Sequence, residues 1–299
     1  MLQKTKRVIV TPAGRKYTLE ILAKYVFALK KAKLINEWHL WKNTKNQSDI
    51  DYIDSLSKDN KWIKIYNFNI NDEYYGTSYN LKNYWQFVNE KDTVYVRFDD
   101  DIVFVELESF DDFIRFRLEN PDYLVVYPNI INNTGIAFKQ QQLGIIPKTT
   151  PMIGQIVADN GAPEWNRGGF HPCDAKAWAD VAFCEHIHKW LIYNANDRFL
   201  SIYKFKLWEL EHYETVSINS CSWIGSGSPN QFLMDTKAEE GEIVYYLPKK
   251  HNKINCVYGG FIVSHYAFYP QKSHLDVKNI DKMYNDLSDK YIKEFLENK

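Results

Sequence analysis

The 299-residue sequence has no run of about 18 apolar residues, so no helix is expected to span a membrane, though peripheral contact stays open. Its cysteines are few: Cys173, Cys184, Cys221 and Cys256, with no C-x-x-C pair. That spacing excludes a zinc ribbon or a thioredoxin-type redox motif. Scattered thiols suit a reducing compartment, and the opening MLQKTKRVIV is too short an apolar run for a signal peptide, so the expected location is cytoplasmic. Neither charge is in excess. With 37 Lys and Arg against 38 Asp and Glu the net charge is −1, which gives no basic footprint for nucleic acid. There is no P-loop, no G-x-G-x-x-G and no G-x-S-x-G. His186 and His188 are two apart, not the four that would place them on one helix face as a metal pair. Internal repeats and low-complexity linkers are also lacking.

What is present is an ordinary globular balance, 45% hydrophobic and 25% charged, enriched in aromatics at 16% with 21 Tyr and 9 Trp. Flat side chains with a polar tip suit sugar faces and nucleobases, and they also serve as an aromatic core. Strand and helix patterns alternate through the first half. Val8-Ile9-Val10 reads as a strand stopped by Thr11-Pro12-Ala13-Gly14. Thr18 to Lys31 has apolar residues at helical spacing, and Trp38 to Trp41 reads as a second strand. Ser48 and Asp51 resemble a capping box opening a short helix. Trp62 to Phe68 reads as a strand, Ser78 to Val88 as a helix, Val94 to Phe98 as a strand, Asp111 to Leu118 as a helix and Tyr123 to Tyr127 as a strand.

Asn129 to His171 lacks strong periodicity. Beyond it the patterns predict a helix over Ala175 to Tyr193, a strand near Thr215 to Ser220 and a helix including Glu239 to Tyr246. Strands near Ile254 to Val257 and Phe261 to Ser264 follow, then a charged amphipathic helix over Val277 to Leu296. This alternation predicts an α/β fold, a mixed and mostly parallel sheet flanked by helices, as one domain over 1–275 with a helical tail over 276–299. In such sheets ligands sit outside the carboxyl ends of the strands.

Asp99-Asp100-Asp101 stands between the apolar runs VYVRF and IVFVEL. Three adjacent carboxylates repel one another, and a turn is needed to converge two of them. A divalent cation offsets the repulsion, and Mn²⁺ or Mg²⁺ takes oxygen ligands while leaving positions for substrate phosphates. The segment YVRFDDDIVFVE resembles the D-x-D segment of GT-A glycosyltransferases, whose fold is a single Rossmann-like mixed sheet. That resemblance implies Asp99 on the nucleotide side, Asp101 as metal ligand and Asp100 in either role. It also implies that the loop after the first strand, with Thr11, Pro12, Gly14 and Arg15, lies under the nucleotide. GGFIVSHY resembles the late strand in which a histidine completes the cation site, here His265.

The implied activity is metal-dependent transfer of a sugar from a nucleoside diphosphate sugar to a hydroxyl of a glycan or related acceptor. An inverting enzyme also needs a carboxylate to take the acceptor proton, and Glu240, then Glu239, are the candidates. Asn166-Arg167-Gly168-Gly169 lies in a glycine- and proline-bearing stretch over Asn160 to Phe170 that reads as a lid, with Arg167 toward the donor. Arg97 inside the strand is expected to pair with an acid. Two alternatives stand beside this reading. One is a sugar-1-phosphate nucleotidylyltransferase, although Pro12-Ala13-Gly14-Arg15-Lys16 is poor in glycine for its early loop. The other is a non-catalytic carbohydrate-binding protein.

Overall fold

The computed structural model describes residues 5–68, 73, 75–149, 180–210, 216–228, 230–235 and 239–299. The Val8–Thr11 run forms β1 (Arg7–Ala13), buried at every position from Val8 onward, which requires cover on both faces. Helix α1 (Lys16–Lys31) follows after Gly14 and Arg15 alone, burying Leu19, Leu22, Tyr25, Val26 and Leu29. Then come β2 (Glu37–Lys42), α2 (Gln47–Lys58), β3 (Ile63–Tyr66), a 3-10 helix at Ser78–Phe87 and β4 (Val94–Phe98). These strands are joined in parallel in the order β3-β2-β1-β4. The second half supplies β5 (Ile102–Val105), α3 (Phe110–Glu119), β6 (Val126–Ile131), α4 (Thr134–Gln142) and α5 (Val181–Asn196). After these lie β7 (Trp208–Leu210), β8 (Ser220–Ile224), α6 (Glu239–Gly241), α7 (Leu247–Lys250) and β9 (Asn255–His265). The chain closes with α8 (Lys272–Val277) and α9 (Ile280–Glu297).

Among the described residues the sheet has nine strands. It is the expected mixed α/β sheet, Rossmann-like in its first half. β8 runs antiparallel between β4 and β6, and β6 and β9 are parallel. β5 and β7 both pair antiparallel with β9, β7 against Asn255–Val257 and β5 against Val263–His265.

One feature of this order positions the site. β8, β6 and β9 separate β4 from β5 along the sheet, yet only three residues connect them. Four strand spacings of about 4.8 Å make roughly 19 Å, whereas four residue steps reach about 14 Å at most. The sheet must therefore curl, bringing the β9–β5 end back over the carboxyl end of β4. The curl is accompanied by a register break in β9: Pro128 of β6 pairs with Tyr258 and Asn129 with Ile262. Gly259 sits at the break, where an added Cβ would lie 2.3 Å from the Phe205 carbonyl oxygen.

Several sequence expectations shift. The cap of α2 is Asn46, not Ser48; its Oδ1 accepts the Ser48 and Asp49 N–H at 2.9 and 3.3 Å. The strand expected at Tyr123 to Tyr127 is β6, three residues on, because Leu124 and Val125 are buried before the ladder begins. The strand expected at Thr215 to Ser220 is β8, beginning where the other ended. The two late strands are one continuous β9. Helix α4 lies in the stretch that lacked periodicity. Helix α9 buries Tyr284, Leu287, Tyr291 and Phe295 and packs against α1 and α5. No helix of the described residues is long and apolar enough to cross a membrane.

The break in β9 yields a stability prediction. Gly259→Ala forces its methyl into the Phe205 backbone and should cost about 2 kcal/mol or more, within the range of buried steric clashes. Urea unfolding monitored by tryptophan fluorescence measures it; an unchanged midpoint would mean that the close approach is relieved without cost.

Candidate functional site

The order of strands reverses between β1 and β4, and open α/β sheets bind ligands at the carboxyl ends of strands at such a switch point. The aspartate triplet is there. It forms a tight turn in which Asp99 O accepts the Ile102 N–H at 3.0 Å, and the turn sends the three carboxylates to different partners.

Asp100 is buried and fully engaged. Its Oδ2 accepts the backbone N–H of Gly14 and Arg15 at 2.6 and 2.8 Å, and its Oδ1 accepts Arg15 Nε at 2.7 Å and pairs with Nη2. Burial raises its pKa, against the opposing charge of Arg15. The approach to Gly14 is close on the other side too, since a Cβ there would lie 3.0 Å from the Asn43 carbonyl oxygen.

Asp101 is also buried. Its Oδ2 lies 2.7 Å from Arg15 Nη1 and 3.2 Å from His265 Nε2. Its Oδ1 is buried with no hydrogen-bond partner among the described residues. Burial is the strongest influence on this carboxyl and pushes its pKa up, but the charges of Arg15 and His265 outweigh it and hold the group below the usual range.

His265 reaches Asp101 because β5 starts directly after the triplet and pairs with the end of β9, with Ile102 opposite His265. Its Nδ1 is 3.1 Å from the Asn132 carbonyl oxygen. A carbonyl only accepts, so Nδ1 carries the proton and donates. Nε2 is then the nitrogen that faces Asp101: with a proton it donates to the carboxylate, and without one it offers its lone pair to a cation set against that carboxylate, as in a metal-ligating imidazole with an outer-shell carbonyl. Asn132 is itself fixed in the left-handed region at φ 62°. Its Nδ2 donates to His265 O, Tyr266 O and Gln271 Oε1 at 3.3, 3.1 and 3.0 Å.

Asp99 is turned toward β4. Its Oδ1 accepts Arg97 Nε at 2.6 Å, and the other end of that buried guanidinium donates through Nη1 to Glu239 Oε1, also at 2.6 Å. Burial, reinforced by Asp101 and Glu239 and opposed by Arg97, pushes the Asp99 pKa up to about 7. Arg97 thus has the acid partners expected of it.

The two adjacent glutamates separate. Glu239 is buried and held by both Arg97 and Trp85 Nε1, the latter at 2.6 Å. Glu240 is half-buried and accepts the Ile218 N–H at 3.2 Å. The next residue, Asn219, accepts the Asp99 N–H through its carbonyl at 2.9 Å, so Glu240 lies beside the aspartate end of the sheet. Burial pushes its pKa up to about 7, with the Ile218 N–H opposing and Glu239 and Asp99 adding to it.

Of the other expected site residues, Thr11 and Pro12 are buried, and the Thr11 hydroxyl accepts Trp38 Nε1 at 2.9 Å. Arg167 and the stretch Asn160 to Phe170 lie outside the described residues. Sequence reasoning missed Asn132 and Asn133. Asn133 Nδ2 donates to Ser217 O and Asn219 Oδ1 at 2.8 and 2.9 Å, tying the segment that hydrogen-bonds Asp99 and Glu240 to the start of α4. The signal was available: Asn-Asn-Thr-Gly after an apolar run reads as a turn with a helix cap, and Asn133 does cap α4 by accepting the Ile136 N–H.

Among the described residues no group of three or more His, Cys, Asp or Glu is placed to hold a metal ion. Asp101 and His265 do converge, and a carboxylate with Oδ2 at 3.2 Å from an imidazole nitrogen and Oδ1 without a partner among the described residues is a donor set that fits a divalent cation whose remaining ligands come from outside the chain.

The raised pKa of Glu240 gives a pH prediction. A carboxyl raised in the folded state favours folding below its unfolded value of about 4.5, and that contribution is lost as pH rises to about 7. The melting temperature of Glu240→Gln minus that of the wild type should therefore climb between pH 4.5 and 7 and level off above. A flat difference across that window would show Glu240 to be fully hydrated.

No family model matches the chain, and no curated protein matches it. Among solved structures it bears a likeness to CMP:2-keto-3-deoxy-manno-octonic acid synthetase complexed with CTP, at 11% identity and a TM-score of 0.44 over 94% of this chain and 100% of that one. Another is HddC from Yersinia pseudotuberculosis, at 17% identity and a TM-score of 0.30 over 43% of this chain. That match spans 60% of HddC, less than two thirds of its length. With TM-scores under 0.5 these likenesses decide neither activity nor ligand, and the functional reading rests on the geometry of the site.

Proposed function

We propose that the chain is an enzyme acting on a nucleotide sugar, and that it transfers the sugar to a hydroxyl of a glycan or related acceptor. The observation that supports this most is the buried Asp101 carboxylate at the switch point of the sheet, with Oδ2 at 3.2 Å from His265 Nε2 and Oδ1 unpartnered among the described residues. Asp101 and His265 would hold a divalent cation. When bound, Mn²⁺ or Mg²⁺ neutralises the charge that develops on the leaving diphosphate. Arg15 supplies guanidinium N–H groups to the phosphates, and Gly14 allows the backbone to approach them. Asp99 faces the nucleoside side. Glu240, poised near neutrality, takes the proton of the acceptor hydroxyl, whereas Glu239 is committed to Arg97 and Trp85.

A second reading is nucleotidylyl transfer from a nucleoside triphosphate to a sugar, the kind of ligand found in the CTP-bound synthetase. The connection between β1 and α1 weighs against it here. Gly14 and Arg15 alone separate the two elements, leaving no glycine-rich loop to wrap a triphosphate. The non-catalytic reading has the aromatic content alone in its support.

One assay separates the three. Nucleoside diphosphate released from UDP-, GDP- or TDP-sugars with Mn²⁺ supports glycosyl transfer. Pyrophosphate released from a nucleoside triphosphate with a sugar phosphate or sugar acid supports the second reading, and no turnover of either kind supports the third. Asp101→Asn should reduce transfer on the order of a hundredfold or more, as loss of a preorganised electrostatic group does, and should also lower the melting temperature of the free protein at neutral pH, because Arg15 and His265 stabilise the ionised carboxylate in the fold. Retention of Mn²⁺-dependent turnover in that variant would remove Asp101 from the site.

A further inference from the structure

Asp100 and Asp101 share one guanidinium unequally. Asp100 holds Arg15 through Nε, Nη2 and the Arg15 backbone N–H, and it also binds the Gly14 N–H. Asp101 holds it through Nη1 alone, at 2.7 Å, and its second oxygen has no partner among the described residues. The Arg15 side chain is 47% exposed although both acids are buried, so its outer side opens to solvent at the carboxyl end of β1. One edge of the fork is therefore fixed in the fold and the other lies on the carboxylate best placed for a cation.

The charges explain what this arrangement does. Asp99, Asp100 and Asp101 face two guanidiniums, Arg15 and Arg97, and Arg97 is taken by Asp99 and Glu239. Arg15 is then the counter-ion that lets both Asp100 and Asp101 remain ionised while buried. A divalent ion placed on Asp101 and His265 alone would stand beside this guanidinium on the same carboxylate, and like charges at that range repel strongly where water is scarce. A diphosphate removes the conflict. It brings negative charge to the pair of cations and offers oxygen acceptors to an exposed guanidinium nitrogen.

We infer that Arg15 is an exchangeable counter-ion: Nη1 holds Asp101 in the free protein and passes to a phosphate oxygen when a nucleoside diphosphate group arrives with its cation. The inference rests on the proposed cation site and adds an order to it. Cation and diphosphate bind as one unit, and neither alone binds tightly. Asp100 retains the opposite edge of the fork throughout, so the exchange moves one nitrogen rather than the whole side chain.

The test is Mn²⁺ binding to the full chain, read from the electron spin resonance of the free ion, alone and with UDP, GDP or CDP. Wild type, Arg15→Gln and Arg15→Lys are compared. In the wild type, Mn²⁺ alone should bind weakly, and the nucleotide that fits should tighten it about tenfold or more, a coupling of ordinary size. Arg15→Gln removes the competing charge, so Mn²⁺ alone should bind about tenfold tighter than in the wild type, with the nucleotide adding little. Arg15→Lys keeps the charge and should keep the weak binding of Mn²⁺ alone. Unchanged Mn²⁺ affinity in a folded Arg15→Gln protein overturns the inference. Should that variant not fold, wild-type protein that binds Mn²⁺ equally well with and without every nucleotide overturns it just as surely. No Mn²⁺ binding by wild type or variant under any condition sinks the cation site itself and the inference with it.

Discussion

The site depends on one carboxylate, Asp100, closing the end of β4 against the β1–α1 connection. Two backbone N–H groups and a guanidinium converge on it. Any other residue at this position would leave the Gly14 and Arg15 donors at the head of α1 without this acceptor and Arg15 without its anchor. With Asp100 in place, two neighbouring strands are locked at the switch point of the sheet. Arg15 is aimed across the mouth of the site, and Asp101 is left as the acid with an oxygen to give. The triplet is thus a division of labour set by partners: Asp99 belongs to Arg97, Asp100 to Arg15 and the backbone of the β1–α1 connection, and Asp101 to Arg15 and His265 through one oxygen, with the other unpartnered among the described residues.

The same principle separates Glu239 from Glu240. Adjacent in sequence and identical in chemistry, they differ in what surrounds them. Glu239 is closed between Arg97 and Trp85, a buried pair whose removal would strand a guanidinium in the core. Glu240 has one backbone N–H and a pKa near neutrality, the condition under which a carboxylate both accepts and releases a proton readily. Environment makes one a structural brace and the other a candidate base.

The sequence made much of this legible and left the rest hidden for identifiable reasons. Val8–Thr11 and Val94–Phe98 announce themselves as buried strands by β-branched and aromatic runs, and the alternation around them implies a parallel arrangement. Asp99–Asp101 between two apolar runs marks the site. Ile102–Val105 is equally apolar, but nothing in its pattern says that it leaves β4 and joins the far end of the sheet, because partner choice is a tertiary matter. His265 could be suspected beside the triplet from family likeness, whereas its contact with Asp101 follows from that pairing. Asn132 was invisible as an orienting residue since its role is performed by a carbonyl, which every residue has; only the left-handed backbone favoured by Asn hints at it.

The curl of the sheet also bears on the order in which the site is assembled. Gly14 meets Asp100 across 86 positions and Asn132 meets His265 across 133. Contacts so remote carry a loop-closure entropy that is repaid only when several form together, so chains rich in them fold slowly. During synthesis β1, β4 and the triplet exist well before β9, and until β9 is added Asp101 has no imidazole beside it. The pairing of Asp101 with His265 is therefore a property of the finished fold, complete only when the last strand has docked.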